Sequence, residues 1–128
     1  MTKEGQVRFE EIRVAAALTT SFVAATVIYV ADATQLSLET YFTKGSSDGC
    51  EIKVETSTDG INYVQKAIAT ESAASGRRQY DACVEYMDTA QNIEIEMPMA
   101  CAYIKISAQA LTTGTGTSLK LVLRKRVN

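Results

Sequence analysis

From residue 34 onward, apolar side chains recur at every second position, and that period constrains the chain more than any other feature. In "TQLSLETYF" (34–42), Leu36, Leu38 and Phe42 share one face, while Gln35, Ser37 and Glu39 take the other. "CEIKVETS" (50–57) alternates Ile52 and Val54 with Glu51, Lys53 and Glu55. "NIEIEMP" (92–98) sets Ile93, Ile95 and Met97 against Asn92, Glu94 and Glu96. "CAYIKIS" (101–107) turns Ala102, Ile104 and Ile106 inward, and "TSLKLVLRKR" (117–126) does so with Leu119, Leu121 and Leu123. Strand side chains alternate between faces, so each segment is half buried and half wet, as in antiparallel sheets with one solvated side.

Turn signals separate these runs every ten to fifteen residues. "KGSSDG" (44–49), "ESAASG" (71–76) and "TTGTGT" (112–117) are small-residue loops, the latter two expected to be flexible. In "VETSTDGINYVQ" (54–65), Asp59 and Gly60 predict a hairpin turn, because both residues tolerate positive φ. About eight short strands with this spacing predict an all-β, single-domain antiparallel β-sandwich, jelly-roll or immunoglobulin-like in its connections. At 128 residues the chain is long enough for two packed layers.

The first third reads differently. Residues 14–31, "VAAALTTSFVAATVIYVA", carry no charge. This length touches the lower edge for a membrane span, but the stretch is rich in Ala, Thr and Ser. One or two strands joined by a small-residue turn are expected, not a span or a signal peptide. In "RFEEIRVAAAL" Phe9, Ile12 and Ala16 would share a helical face, so a partly helical arm stays open beside the favoured extended one. The expected organisation is an N-terminal arm with the first strand or strands over 1–31, and the sandwich body over 32–128.

Composition excludes whole classes of chemistry. With no histidine there is no Ser-His or Cys-His pair and no imidazole metal site. No glycine-rich loop opens a helix to cradle phosphate. Glu94 and Glu96 on one solvated strand face read as surface charge, and Asp48 and Asp59, each before a glycine, as turn formers. No enzyme activity, cofactor or metal is expected. A net charge of −2 argues against a nucleic-acid partner. Three cysteines, Cys50, Cys83 and Cys101, cannot all pair within one chain, which suits reduced, buried thiols, with a single bridge as the alternative. A carbohydrate-binding module is the alternative for a small sandwich, with Tyr63, Tyr80, Tyr86 and Tyr103 as candidate platform residues, although the chain has no tryptophan.

Charge, however, is unevenly placed. From Gln79 to Tyr103 there is no Lys or Arg, whereas Asp81, Glu85, Asp88, Glu94 and Glu96 all fall there. Arg77 and Arg78, and Lys120, Arg124, Lys125 and Arg126, stand against them. Complementary patches of this kind orient neighbouring copies or a larger partner. The expected partner contacts are Phe9, Glu10, Glu11 and Arg13 in the arm, Arg77 and Arg78 in a loop, and Arg124, Lys125 and Arg126 at the end.

The run "ATQLSLETYFTKGSSDGCEIKVETSTDGINYVQ" (33–65) resembles a pattern in small structural proteins of tailed bacteriophages. There a strand ends in Ser-x-Asp-Gly, followed by Asn and an aromatic; here these are Ser57, Asp59, Gly60, Asn62 and Tyr63. "AYIKISAQALTTGTGTSLKLVL" (102–123) is similar to their closing strand–loop–strand. The resemblance covers about half the chain. It implies a non-enzymatic virion component made in the host cytoplasm: a head decoration (cement) protein, or else part of a neck, tail or fibre. The implied partners are the major capsid or other virion proteins and further copies of the chain, a trimer being favoured, with neither nucleic acid nor membrane as partner.

Overall fold

The structure, a computed structural model, describes residues 5–71, 78–82, 84–98 and 100–127, and for residues 68–71 and 78–82 the backbone course. It is all-β, with twelve strands and no helix among the described residues. In chain order they are β1 Gln6–Ala16, β2 Val23–Ala24, β3 Ile28–Tyr29, β4 Ala33–Thr43, β5 Cys50–Ser57, β6 Val64–Gln65, β7 Ala67–Glu71, β8 Arg78–Ala82, β9 Val84–Met87, β10 Gln91–Glu96, β11 Tyr103–Ala110 and β12 Ser118–Val127. One sheet has the order β1-β12-β4-β10; the other is β2-β11-β5-β6, with β3 also on β11 and β9 also on β5. All pairings are antiparallel, and β7 and β8 form a separate ribbon.

The connections decide between the two expected sandwich types. β2 and β3 lie along the same side of β11, as two pieces of one interrupted strand. β6 and β9 lie likewise along β5. Counted this way, every main connection changes sheet except that from β5 to β6 and β9, and the first strand pairs with the last. That is jelly-roll connectivity.

The inward faces are those the alternation predicts. Leu36, Leu38, Phe42, Ile52, Val54, Ile104, Ile106, Leu119, Leu121 and Leu123 are all buried in one core, joined by Cys50 and Met87. β10 is the exception: Met97 just after it is buried, but Ile95 is half-buried and Ile93 exposed. Along the described chain β10 pairs only with β4, so it is an edge strand.

The partly helical form of the N-terminal arm is overturned, because Gln6–Ala16 is strand. Phe9 and Ile12, which a helix would place together, part company: Ile12 enters the core and Phe9 is 65% exposed. β12 offers the segment main-chain partners from Gln6 to Glu11 and again at Arg13 and Ala16, and this outweighs a weak helical period. The pairing is interrupted at Ile12, since Glu11 faces Val122 and Arg13 faces Leu121. Ile12 follows Arg8 and Glu10 on the inward face by alternation, and the bulge shifts the register of the residues after it. No described helix is long and apolar enough to cross a membrane.

The loops are more tightly tied than their composition suggests. "TTGTGT" lies against "KGSSDG": the Ser46 N–H donates to Thr115 O at 3.1 Å, the Thr115 N–H to Ser46 Oγ at 2.7 Å, and Thr117 Oγ1 to Lys44 O at 2.9 Å. Gly45 is required there, because it has a φ of 58° and a Cβ would sit 2.2 Å from Thr115 O. "ESAASG", apart from Glu71, lies outside the described residues.

Candidate interaction surfaces

The Asp59–Gly60 turn joins β5 to β6, but as a longer connection than a two-residue hairpin. Pairing resumes at Thr56↔Val64, leaving Ser57 to Tyr63 between the strands. Only Gly60 takes a positive φ, of 77°. Asp59 instead organises the loop through its carboxylate. Oδ1 accepts from the Ile61 and Asn62 N–H groups at 2.8 Å each and from Ser57 Oγ at 2.9 Å, and Oδ2 accepts from Asn62 Nδ2 at 2.8 Å. The Asn62 and Ile61 amides, followed by the side chains of Asn62 and Ser57, hold this carboxyl far below the usual carboxylate range. The acceptors are filled from within, so the turn is structural.

The basic C-terminal strand is also engaged within the chain. On the outer face of the first sheet, β12 runs between β1 and β4, and β10 lies beyond β4. Arg124 Nε donates to Ser37 Oγ at 3.0 Å and lies 3.3 Å from Glu39 Oε1, while its Nη2 pairs with Glu94. Arg126 Nε donates to Gln35 Oε1 at 3.2 Å. Lys125 Nζ, near the end of the core, reaches Asp32 Oδ1 at 2.8 Å and Tyr29 O at 3.1 Å. The hydrogen bond from Lys125 is the first cause that lowers the Asp32 pKa. Lys120 lies 3.7 Å from Glu11 and 5.3 Å from the centre of the Tyr41 ring. Tyr41 OH donates to Glu39 Oε2 at 2.7 Å, which raises the phenol pKa.

The residues expected at contacts therefore divide. Arg13 is turned back on its own chain, donating to the carbonyls of Leu119, Ala16 and Ala17 at 3.2, 3.3 and 2.9 Å. Glu11, Arg124, Lys125 and Arg126 each have partners within the chain. The acidic run and the basic end meet in one molecule, Glu94 against Arg124, because β4 brings β10 and β12 to its two sides. Arg78 opens β8 opposite Glu71, and Arg77 lies outside the described residues. Phe9 and Glu10 remain exposed on β1.

A second surface was missed by the sequence reading. On the outer face of the other sheet, Lys105 Nζ stands 4.2 Å from the centre of the Tyr63 ring and Lys53 Nζ 4.7 Å from that of Phe22. Tyr29 meets Tyr103 edge to face, with ring centres 5.3 Å apart. The alternation puts Lys53, Lys105 and Tyr103 outward, but which rings they meet depends on strand order. Of the proposed platform tyrosines, Tyr63 is thus under a lysine, Tyr103 is against Tyr29, Tyr86 is exposed, and the side chain of Tyr80 lies outside the described residues.

Neither thiol described is set up for chemistry. Burial, then the nearby Glu51, pushes the Cys50 thiol up to about 12, and burial also raises that of Cys101. Both are free, and Cys83 lies outside the described residues. Among the described residues no group of three or more Cys, Asp or Glu side chains could hold a metal ion.

No family model matches the chain, and no curated protein does. Its fold is similar to the crystal structure of the SPBc2 prophage-derived protein YomS, at a TM-score of 0.52 and 12% identity. The match covers 98% of this chain and 97% of that one, so the likeness extends over the whole architecture.

Proposed function

We propose that this chain is a non-enzymatic structural protein of a tailed-bacteriophage virion, a head decoration protein first and a neck, tail or fibre component second. The observation that carries the reading is the end-to-end fold likeness to a prophage-derived protein, added to the residue pattern around Ser57–Tyr63. The jelly roll itself supports it only by analogy, since one fold serves many functions.

The physical character of the molecule suits a mechanical role. Charges are neutralised across strands, and the two long loops at one end are laced together, which favours a stiff body over an adaptable one. A stiff body repeated in a symmetric shell can add many modest contacts into a large total. The chain has no histidine to serve as an imidazole base, in keeping with a role that needs no catalytic group. The sugar-binding alternative finds little support, because lysines occupy the faces of Tyr63 and Phe22 where a sugar ring would stack.

Quantitative mass spectrometry of purified particles from the source tests the reading. A decoration protein is expected at roughly one copy per copy of the main shell protein, or about a third of that. A neck or tail component would appear at about a few per hundred. Absence from the particles would overturn the virion assignment.

A further inference from the structure

The N-terminal half of β1 is an open sheet edge. Along the described chain β1 pairs with β12 on one side only. Its other side is occupied near the bulge, where the Thr26 N–H donates to Ile12 O at 3.2 Å. Main-chain groups alternate sides along a strand. The Met97 N–H donates to Leu36 O, so Ser37 and Glu39 of β4 face Arg124 and Val122 of β12, and Leu123 and Lys125 face Glu10 and Arg8 of β1. The main-chain groups of Val7 and Phe9 are therefore the ones that face out of the sheet. The exposed side chains Val7 and Phe9 flank this edge on the outer face. A cavity of about 240 Å³ runs beside it, lined by Arg8, Phe9, Glu10, Ile28, Leu123 and Lys125. Open edges without proline or bulges can pair with other strands. This one has no proline, no lysine and no bulge before Ile12; its charges are Arg8, Glu10 and Glu11, of which Glu11 is taken by Lys120.

The charges on the edge select the occupant. Arg8 and Glu10 lie on the same face of β1, and neither takes part in an ion pair among the described residues, unlike the cations of the adjoining β12. Two copies of this strand, related by a two-fold axis perpendicular to the sheet, can be centred on Arg8, Phe9 or Glu10. Centring on Arg8 sets arginine against arginine, and centring on Glu10 sets glutamate against glutamate. Centring on Phe9 sets Arg8 against Glu10 twice and the two Phe9 rings against each other. In this register the two Phe9 residues exchange main-chain hydrogen bonds, and the Arg8–Glu10 pairs occupy the closer, non-hydrogen-bonded sites.

We propose that the chain forms a two-fold dimer by antiparallel β1–β1 pairing centred on Phe9, which joins the two four-stranded sheets into one. The interface is isologous and self-complementary. It replaces the trimer implied by the sequence resemblance. The dimer is read in solution, so its failure would leave the virion assignment standing, and absence from particles would leave the dimer standing.

Light scattering coupled to size exclusion, on the full chain at about 100 μM where a micromolar interface is largely saturated, supplies the test. The wild-type chain is expected at the mass of two chains. Arg8→Glu and Glu10→Arg should each run as single chains, since each places like charges opposite one another. An equimolar mixture of the two variants, and the double variant, should both return to two chains. Phe9→Glu, at a mostly exposed position, should also give single chains, with an unchanged melting temperature in dilute solution showing that it is folded. A wild-type mass of one or three chains overturns the proposal. So does a dimer that survives both single charge reversals, or one restored by neither the mixture nor the double variant.

Discussion

β1 and β12 run side by side over their whole length and both are rich in charge, yet they use it in opposite ways. On β12, Lys120, Arg124, Lys125 and Arg126 all find partners on β1, on β4 or in the connection before it. On the N-terminal half of β1, Arg8 and Glu10 form no close ion pair among the described residues, and Arg8 acts on Asp32 only at longer range. The difference is one of position in the sheet. A central strand has neighbours on both sides and its charges are consumed there; an edge strand has a neighbour on one. A cluster of like charges in sequence, such as "RKR" at 124–126, is therefore a weaker guide to a docking surface than a lone pair on an edge.

The largest effect that would sharpen this contrast is beneath it. Leu121 is fully buried where β12 faces both neighbours, and Leu121→Ala should cost about 2–5 kcal/mol in denaturant unfolding. A loss below about 1 kcal/mol would mean that β12 does not anchor the sheet. Next comes Arg13, whose guanidinium fastens the stapled end of β1. Arg13→Ala should cost about 1–2 kcal/mol and raise amide exchange around Ala16 and Leu119, while leaving exchange at Arg8 unchanged. Equal loosening along β1 would erase the distinction between its two halves.

Arg124→Ala should cost about 1 kcal/mol or less, because the pair is partly exposed, although it leaves Glu39 directly opposite Glu94. Raising the salt concentration should shrink the difference from wild type; a salt-independent loss would assign the effect to packing instead. The smallest effect concerns Asp59, another charge consumed in-chain. Its folded pKa lies below its unfolded value, so its contribution is present above the unfolded value of about 4 and fades as pH falls below it. Asp59→Asn should flatten that acid limb in unfolding curves taken across pH, and an unchanged limb would mean that the loop does not depend on the charge.

Much of the fold was legible in the residues, and little of the surface was. Leu36, Leu38, Phe42, Ile52, Ile104 and Leu121 announce their burial through period 2 alone, because one sheet face must be apolar wherever it meets another layer. Ile93 follows the same spelling and is exposed, since period 2 does not say whether a strand sits at an edge. The Asp59–Gly60 turn could be placed but not typed: the loop closes on a carboxylate that accepts from its own neighbours, an arrangement the dipeptide does not specify. The contact residues fared least well. Arg13, Glu11 and Arg124 look available in one dimension and are occupied in three.

By itself, the sequence determined that the alternating segments after residue 34 are strands, which side of most of them is apolar, and that imidazole chemistry is absent. These follow from side-chain alternation and composition, both local properties. Only the tertiary structure decided that the first strand pairs with the last, that the acidic run neutralises the basic end, and that Arg8 and Glu10 stand on an open edge. Strand order brings together residues far apart in the chain, as with Glu94 and Arg124 across β4 or Arg13 and Leu119 across the β1–β12 pair. Such pairings are set by how whole sheets bury their apolar faces, which no short stretch of the chain encodes.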